Sequence, residues 1–308
     1  MLKATRESYG EFLQEIGKRE DVFVLDADLS SSTKTNLFKE KYEERFINVG
    51  IAEKGMVSTA AGLASMGNLV FCSSFAAFLP GITYGEIKQS ISYNDVNVKI
   101  CSTHAGISPG EDGPTHQMLE DISLMRAMPN MRVFVPSDDI STKAILNLLS
   151  KDEKAAYIRL SRKKTRQIYE EKDKKAFVLG SSYTHGNGRD FGIITCGDIT
   201  GEALTAKSFL EKEGINTRVI DMYSIKPIDE ENILKTAEEC ANILVVENHT
   251  SYGGLFGAVC EVLCRNNPKK IYNISIDRFG KSGKEDEIYS YFNLDSKSIY
   301  NYVKDVLK

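Results

Sequence analysis

Short apolar runs with strand character alternate with helical segments along this chain, and that alternation constrains the fold more than any other feature. The predicted strands of the first half lie at 23–25, 46–49, 69–72, 96–101 and 133–135. A helix rich in small residues is predicted at 52–64, and Gly67 ends it. Strands that alternate with helices predict parallel sheets with helices on both faces.

The alternation resumes in the second half, after a charged segment at 162–175 that lacks apolar periodicity. The predicted strands lie at 191–195, 217–221 and 243–247, and the predicted helices at 202–213, 231–240 and 254–263, the last taken as the final helix. A length of 308 residues suits two domains of ordinary size. We therefore predict an α/β fold with two doubly wound, mostly parallel-sheet domains at 1–165 and 177–308, joined by a linker at 166–176.

Charge and hydrophobicity narrow the possible partners and the location of the protein. The formal net charge is -4, and acidic and basic residues are mixed along the chain, which argues against a nucleic-acid partner. No apolar run approaches the roughly 20 residues of a membrane-spanning helix, and the first residues lack the apolar segment of a signal peptide. We therefore expect a cytoplasmic protein with no membrane partner.

The six cysteines lie in apolar surroundings and predict buried thiols in a reducing compartment. Cys260 and Cys264 would share a helix face, which is one feature of a metal site. No second pair of Cys or His residues follows at the spacing of metal ligands. We therefore predict no metal site within this chain.

Glu53 lies at the start of the predicted helix that follows the second strand. The carboxyl ends of strands are where α/β domains form their sites, so Glu53 is a candidate functional carboxylate. A carboxylate at this position also complements the helix dipole without any further role. The same ambiguity applies to Phe75 and Phe78, which would share a helix face and either pack in the core or stack on a bound ring.

The segment at 103–117 follows a predicted buried strand and holds two of the four histidines, His104 and His116. It also contains Glu111, Asp112, three glycines and two prolines. Histidine donates and accepts hydrogen bonds and transfers protons near neutral pH, which suits a polyhydroxy substrate. We therefore predict a substrate-binding loop here.

The second half carries few candidate functional groups. Glu247 and His249 are interpreted as a structural pair, and the second domain as a packing and assembly element. Asp198 and Thr200 precede a predicted helix, where they either cap it or help to bind an anion.

The segment 110–117, Gly-Glu-Asp-Gly-Pro-Thr-His-Gln, resembles the substrate-loop signature of the transketolase family. In the second half, segments 226–229 and 247–257 resemble the family's C-terminal domain, so that the resemblance covers nearly the whole chain. It implies a pyrimidine-binding domain for thiamine diphosphate, followed by a transketolase C-terminal domain. It also implies an enzyme that transfers a two-carbon ketol unit between sugar phosphates.

The resemblance assigns candidate roles to individual residues. Glu53 matches the glutamate that hydrogen-bonds the cofactor's aminopyrimidine ring and activates the cofactor. Its expected desolvating neighbours are Ile51, Met56 and Phe75. Phe75 and Phe78 match the aromatic residues that pack on the pyrimidine, and Asp28 is a further expected cofactor contact.

The substrate contacts that the resemblance implies are of two kinds. The residues expected to contact the sugar are His104, Asp112 and His116, and both histidines are also candidate catalytic residues. The residues expected to grip the substrate's phosphate are Arg6, Ser32 and Arg162. The planar guanidinium of arginine suits that role because it binds phosphate through two hydrogen bonds.

The Gly-Asp-Gly motif and following Asn pair that hold the metal and the diphosphate in this family are absent from the sequence. We therefore expect a separately encoded N-terminal transketolase subunit to hold the diphosphate and Mg²⁺ or Ca²⁺. The expected assembly is a heterotetramer of two copies of each chain, with the active site formed between chains.

Several related functions stay open at this stage. The β subunit of a 2-oxoacid dehydrogenase is also a separate chain, but it would not be expected to show segment 111–117. A deoxyxylulose phosphate synthase shares segment 50–53 but normally keeps its domains on one chain. A specialised sugar ketol-transferase and a non-catalytic assembly subunit are further alternatives. The sequence does not identify the donor and acceptor sugars.

Overall fold

The computed structural model describes residues 2–308 as an alternation of strands and helices. Those of the first half are β1 (Leu2–Ala4), α1 (Thr5–Ile16), β2 (Val22–Asp26), α2 (Ser30–Thr33), α3 (Asn36–Lys39), β3 (Phe46–Asn48), α4 (Glu53–Ser65), β4 (Leu69–Phe75), α5 (Leu79–Glu86), β5 (Val98–Thr103), α6 (Asp121–Arg126), β6 (Arg132–Phe134), α7 (Asp139–Leu149) and β7 (Ala156–Arg159). Those of the second half are β8 (Lys164–Arg166), β9 (Tyr183–His185), β10 (Phe191–Thr195), α8 (Thr200–Lys212), β11 (Thr217–Asp221), β12 (Ser224–Lys226), α9 (Glu230–Glu239), β13 (Asn242–Val246), α10 (Leu255–Asn266), β14 (Tyr272–Ile274), α11 (Glu285–Tyr291) and α12 (Ser296–Val306). Among these residues, no helix has the length and apolar character needed to cross a bilayer.

The first sheet has seven strands in the order β12–β6–β7–β5–β4–β2–β3. Its strands are parallel except for β12, which comes from the second half of the chain and pairs antiparallel with β6. Every residue of β4 and β5 is buried, as expected for central strands of a parallel sheet that helices cover on both faces. Helices α4 and α6 pack on one face, and helices α1 and α7 pack on the other.

The second sheet has five strands in the order β14–β13–β10–β11–β9, and only β9 is antiparallel to its neighbour. Apolar residues of α8 and α12 cover one face, and those of α9 and α10 cover the other. Both sheets are therefore mostly parallel with helices on both faces, and the predicted α/β class with two doubly wound domains is confirmed.

Three details of the predicted elements are wrong. Phe75 and Phe78 do not share a helix, because β4 continues through two buried serines to Phe75, and Phe78 directly precedes α5. The Oγ of Ser73 is 2.7 Å from the hydroxyl of Tyr9, so that a polar residue fits inside this strand. Helix α10 is not the last, because α11 and α12 follow it. Not all cysteines are buried either: Cys264 is exposed, since the apolar face of α10 lies elsewhere.

The segment predicted as the linker, 166–176, starts where β8 ends. Strand β8 pairs antiparallel with β1, and a 3-10 helix follows at Glu171–Ala176. Tyr169 is buried within the segment and contacts the second domain. The limits of the two domains stay a prediction.

Asp221, the last residue of β11, lies buried where the two domains meet. Its Oδ2 accepts hydrogen bonds from the hydroxyls of Ser137 and Tyr169, at 2.7 and 2.6 Å, and Oδ1 accepts one from Thr200 at 3.3 Å. Burial raises the pKa of Asp221 to about 7, because the hydrogen bonds only partly offset the loss of hydration. The contact between the domains therefore includes a titratable group.

Candidate active site

The carboxyl ends of the parallel strands bring polar loops to one edge of the first sheet. The residues predicted from the sequence lie on these loops, with Asp28 after β2, Ser32 in α2, Glu53 at the start of α4, Phe75 at the end of β4, His104 after β5, Asp112 and His116 in the loop that follows, and Arg162 after β7. Arg6 reaches the same edge from α1. The contacts below connect most of these residues, and Asp28 and Glu53 are the exceptions.

His104 follows β5 with a φ of 57°, which is uncommon for a residue with a side chain. Its Nε2 lies 3.0 Å from Nη1 of Arg6. Because arginine only donates, Nε2 accepts this hydrogen bond, and the ring proton is on Nδ1, 2.8 Å from Oγ1 of Thr103. Burial, and then the positive charges of Arg6 and Arg162, lower the pKa of His104 to about 3. The imidazole is therefore neutral at physiological pH.

Four aromatic rings form a continuous wall beside this imidazole. His104 stacks on Phe75 with 3.8 Å between ring centroids, and Phe75 stacks on Phe78 at 5.7 Å with an interplanar angle of 15°. The ring of His116 meets Phe78 edge-on at 5.3 Å. Phe78 and His116 are only partly buried, so that the wall presents a surface on which a planar ring can stack.

Two guanidinium groups lie next to the neutral imidazole. Nη1 of Arg6 donates to the backbone carbonyl of Ser32 at 3.0 Å, and burial and the charge of Arg162 lower the pKa of Arg6. Arg162 donates to the carbonyl of Pro109 at 2.5 Å and to the carboxylate of Asp112 at 3.2 Å. Two guanidinium groups close enough for the charge of one to lower the pKa of the other favour a bound anion, although Asp112 partly neutralises Arg162.

A cleft of about 250 Å³ opens beside Arg162 at the boundary between the domains. Residues 108–111 line one side, and Lys284 and Glu285 of the second domain line the other. The cleft provides room for the end of a ligand that carries the anion.

Asp28 is exposed and has a φ of 64°. Its N–H donates to Oδ1 of Asn48 at 3.1 Å, and Nδ2 of Asn48 donates back to the Asp28 carboxylate at 3.3 Å. Asp26, which the sequence analysis did not single out, fixes the start of this loop. Its buried carboxylate accepts from the N–H of Leu29 at 2.6 Å and from Oγ1 of Thr33 at 2.7 Å.

Glu53 is the first residue of α4 and is half-buried. Within residues 2–308, no hydrogen bond or ion pair involves its carboxylate, which is free to accept a hydrogen bond from a bound group. Met56 is buried behind it, but Ile51 is 85% exposed. The expectation that Ile51 desolvates Glu53 is therefore wrong for this chain by itself.

The side of α4 and α5 that faces away from the sheet is exposed and carries apolar and glycine residues. Ile51, Met66 and Ile82 are 85%, 78% and 54% exposed. A Cβ added to Gly62 or Gly85 would meet no atom within 4 Å. Glycine within a helix costs about 1 kcal/mol relative to alanine, and nothing in residues 2–308 needs the space at these two positions. We call this surface the open face.

The second domain borders the candidate site, which the sequence analysis did not foresee. Oγ of Ser282 donates to the carbonyl of Glu111 at 2.6 Å, and Nε2 of Gln117 donates to the carbonyl of Lys281 at 2.8 Å. These partners are more than 160 positions apart in the chain, so no local pattern in the sequence signals the contact.

The candidate polar groups of the second domain accept hydrogen bonds from other groups of the chain. Glu247 is buried, and its carboxylate accepts from the N–H groups of Leu255 and Phe256 at the start of α10, in agreement with a structural role. Anion binding at the start of α8 stays a prediction, but Asp198 does not cap that helix, whose N-cap residue is Ile199, and the capping interpretation is wrong. Asp198 is buried and accepts hydrogen bonds from Ser161 and Asn248.

Comparison with known proteins adds independent information. The family model for the transketolase pyrimidine binding domain matches residues 2–167, and that for the transketolase C-terminal domain matches residues 180–299. A putative transketolase C-terminal section of Methanocaldococcus jannaschii is 44% identical, over 99% of this chain and 97% of the relative. A 6-deoxy-6-sulfo-D-fructose transketolase subunit of a Clostridium species is 33% identical, over 98% of this chain and 94% of the relative.

A solved structure of a split gene transketolase, described as an inactive beta4 tetramer, matches with a TM-score of 0.90 and 38% identity. The match covers 98% of this chain and 97% of the solved one. In contrast, the chain spans only 49% of the length of the mouse and human transketolases that it also matches.

The two α/β domains and the loops at the edge of the first sheet are those of a thiamine diphosphate-dependent enzyme of the transketolase type, and the chain belongs to the transketolase family. Its domains are the pyrimidine-binding and C-terminal domains of that family. It therefore corresponds to the C-terminal half of a transketolase.

The residues at this edge fit the pyrimidine part of thiamine diphosphate. The aromatic wall offers a stacking surface, and Glu53 offers a carboxylate without a protein partner. In the part of the chain that the structure describes, no group of three or more His, Cys, Asp and Glu side chains is arranged to hold a metal ion.

Proposed function

We propose that the chain is the catalytic C-terminal subunit of a transketolase that transfers a two-carbon ketol unit between sugar phosphates. The observation that carries the proposal is the contact of Arg6, His104, Phe75 and Phe78 at the edge of the first sheet. This contact joins an anion-binding group, a neutral imidazole and a stacking surface within one site.

When bound, thiamine diphosphate supplies an acidic thiazolium carbon and an electron sink for breaking the carbon–carbon bond. Glu53 accepts a hydrogen bond from the aminopyrimidine ring and holds a proton there. Phe75 and Phe78 pack on that ring, and offset stacking contributes on the order of 1 kcal/mol beyond the burial of area. Asp28 is the further cofactor contact of the proposal.

The sugar is held by the two histidines of the wall and by polar groups beside it. The neutral His104, together with His116, orients and polarises oxygens near the reacting carbon, and Asp112 accepts a hydrogen bond from a substrate hydroxyl. To form this hydrogen bond, Asp112 gives up its ion pair with Arg162. The ion pair is exposed, and solvent screening makes it weak. Arg162, Arg6 and Ser32 then hold the terminal phosphate.

We further propose that a second polypeptide, an N-terminal transketolase subunit, holds the diphosphate and Mg²⁺ or Ca²⁺. The relatives that match this chain over nearly their whole length support this arrangement. The open face of α4 and α5 is the surface for that partner, because its glycines allow another backbone to approach closely. Two copies of each chain in a heterotetramer complete the proposal.

The donor sugar of the proposal has one alternative, a sulfonated sugar in place of a phosphorylated one. The relative named as a 6-deoxy-6-sulfo-D-fructose transketolase subunit acts, by its name, on a sugar with a sulfonate in place of the phosphate. Arg6 and Arg162 suit either anion. Phosphorylated and sulfonated ketoses are therefore the two donor classes to compare.

The proposal is tested by ketol transfer from xylulose 5-phosphate to ribose 5-phosphate, with thiamine diphosphate and Mg²⁺. We expect activity only when the chain is mixed with a partner that carries the diphosphate motif. Glu53→Gln should lower kcat at least 100-fold without affecting assembly, because it removes the carboxylate that promotes proton transfer. Glu15→Gln on the exposed side of α1 makes the same change of charge and should be neutral. Full activity of Glu53→Gln would contradict the proposal and support a non-catalytic subunit.

A further inference from the structure

The residues that directly follow His104 contact the side chain of Asn248 in the second domain. Gly106, two residues after His104, has a φ of 62°. A Cβ at Gly106 would lie 2.3 Å from Oδ1 and 2.5 Å from Nδ2 of Asn248, so that no side chain fits there. The backbone of the loop and the amide of Asn248 are therefore complementary in shape.

Hydrogen bonds fix this amide in one orientation. The N–H of Ile107 donates to Oδ1 of Asn248 at 3.0 Å. On the other side, Nδ2 donates to Oδ2 of Asp198 and to the hydroxyl of Tyr289, both at 3.1 Å. A carboxylate only accepts, so the nitrogen must face Asp198 and the oxygen must face the loop. Asn248 is 2% exposed, so that its amide is shielded from solvent.

The backbone of Asn248 contacts the other arm of the candidate site. Its carbonyl accepts a hydrogen bond of 2.8 Å from Nη2 of Arg159, whose Nε is paired with the buried Asp121 at 2.7 Å. Arg159 ends β7 and precedes Arg162 by three residues. Asn248 thus joins the segment of His104 to the segment of Arg162.

We infer that Asn248 is a positioning residue for the His104 loop, which gives the second domain a role in the chemistry proposed above. The inference rests on the proposed function for its effect on turnover. His104 is held by close contacts, 3.8 Å to the Phe75 ring and 3.0 Å to Arg6, and a shift of its loop misplaces the imidazole against the substrate. Misplacement of a catalytic group by about 1 Å can cost 100-fold in rate.

The kinetic test uses the reconstituted two-chain complex, with acceptor aldehydes that do and do not carry phosphate. Asn248→Ala should lower kcat roughly 10- to 100-fold with both acceptors. Arg162→Ala should instead raise the KM for the phosphorylated acceptor much more than the KM for the free aldehyde. The matched control is Ser137→Ala, which also removes hydrogen bonds between the domains but does not touch the loop, and it should retain kcat. Equal losses of kcat in Ser137→Ala and Asn248→Ala would overturn the inference, as would an unchanged kcat in Asn248→Ala.

A second measurement tests the contact between Asn248 and the His104 loop without an activity assay. Hydrogen exchange of the complex should speed up in residues 104–112 of Asn248→Ala and stay unchanged in β4 and β11. Unchanged exchange in 104–112 would overturn the inference, whereas inactivity of the native complex would overturn only the proposed function. If Asn248→Ala does not fold, Gly106→Ala disturbs the same contact from the loop side. Faster exchange at 104–112 in that variant supports the inference, and native-like exchange overturns it.

Discussion

Arg6 and His104 together show how the charge of a single site residue depends on a distant neighbour. The guanidinium donates to Nε2 of the imidazole and leaves the proton on Nδ1. Burial and two nearby guanidinium groups keep the ring neutral. An uncharged imidazole next to an anion subsite does not attract the phosphate itself, and its Nε2 can accept a hydrogen bond from a sugar hydroxyl only in exchange for the one from Arg6.

We expect His104 to stay neutral, with its proton on Nδ1, throughout pH 5–8, because its pKa is lowered to about 3. Imidazole ¹⁵N chemical shifts of the chain measure both the charge and the tautomer. In Arg6→Gln the loss of one positive charge should raise the pKa of His104 toward its ordinary value. The signals are assigned by their disappearance in His104→Gln. A native His104 that titrates near pH 6.5, or that carries its proton on Nε2, would contradict this account.

For single residues, the sequence indicates which residue types form the site but not their tautomers or their contacts. The motif at 110–117, which contains Asp112 and His116, and the nearby His104 point to these three residues without any structure. The tautomer of His104 depends on Arg6, which is 98 positions away, and Asn248 depends on contacts that cross between domains. Local patterns contain no information about such pairs.

Helix α4 differs in character between its buried side and its exposed side. Its buried side packs Met56, Val57 and Ala60 against the first sheet, while its exposed side carries glycine where nothing in residues 2–308 needs the space. The small residues could be read from the sequence, and so could the helix. Which side they face could not, because that depends on how α4 packs on the sheet.

Gly62→Leu on the open face should separate the stability of the chain from its assembly. Replacing a helical glycine with leucine should raise the stability of the isolated chain by up to about 1 kcal/mol, measured by urea unfolding. The larger side chain should weaken binding of the N-terminal subunit at least 10-fold, measured by titration calorimetry. Ser208→Leu places the same side chain on the exposed surface of α8 and should leave binding unchanged. Native affinity in Gly62→Leu would remove α4 from the proposed interface.

The segment around Phe75 shows why patterns at the scale of elements can mislead. A spacing of three residues between two aromatics is typical of a helix, but the buried serines of β4 extend the strand to Phe75. The rings still stack, because the turn into α5 brings Phe78 back over the end of the strand. The prediction that the side chains of Phe75 and Phe78 lie together was right, but the prediction that both lie on one helix was wrong.

In the whole molecule, the buried Asp221 makes the contact between domains sensitive to pH. Its pKa is raised to about 7 when folded, against 3.8 for an ordinary aspartate. Between pH 4 and 7 the unfolded chain loses this proton while the folded chain keeps it, so that the contribution of Asp221 to stability falls as pH rises. Above pH 7 both states are ionised and the contribution is constant.

Asp221→Asn should abolish this dependence, since the amide oxygen can still accept hydrogen bonds from Ser137 and Tyr169. The unfolding free energy of the variant relative to the native chain should therefore increase from pH 4 to 7 and level off above pH 7. Urea unfolding at pH 4.5, 6.0 and 8.0 measures this difference. It isolates Asp221 from other buried groups that titrate, such as His249, whose pKa is lowered to about 4. A difference that does not vary with pH would show that Asp221 is ionised in the folded state.

Strand β12 has a consequence for the synthesis of this protein. The seventh strand of the first sheet is contributed by Ser224–Lys226, beyond the predicted end of the first domain. A nascent chain that has emerged only to residue 165 exposes the unpaired edge of β6, which is a template for pairing with other chains. The first domain thus completes its sheet only after much of the second domain has been translated. Chaperones, or rapid translation of the intervening segment, would protect that edge in the meantime.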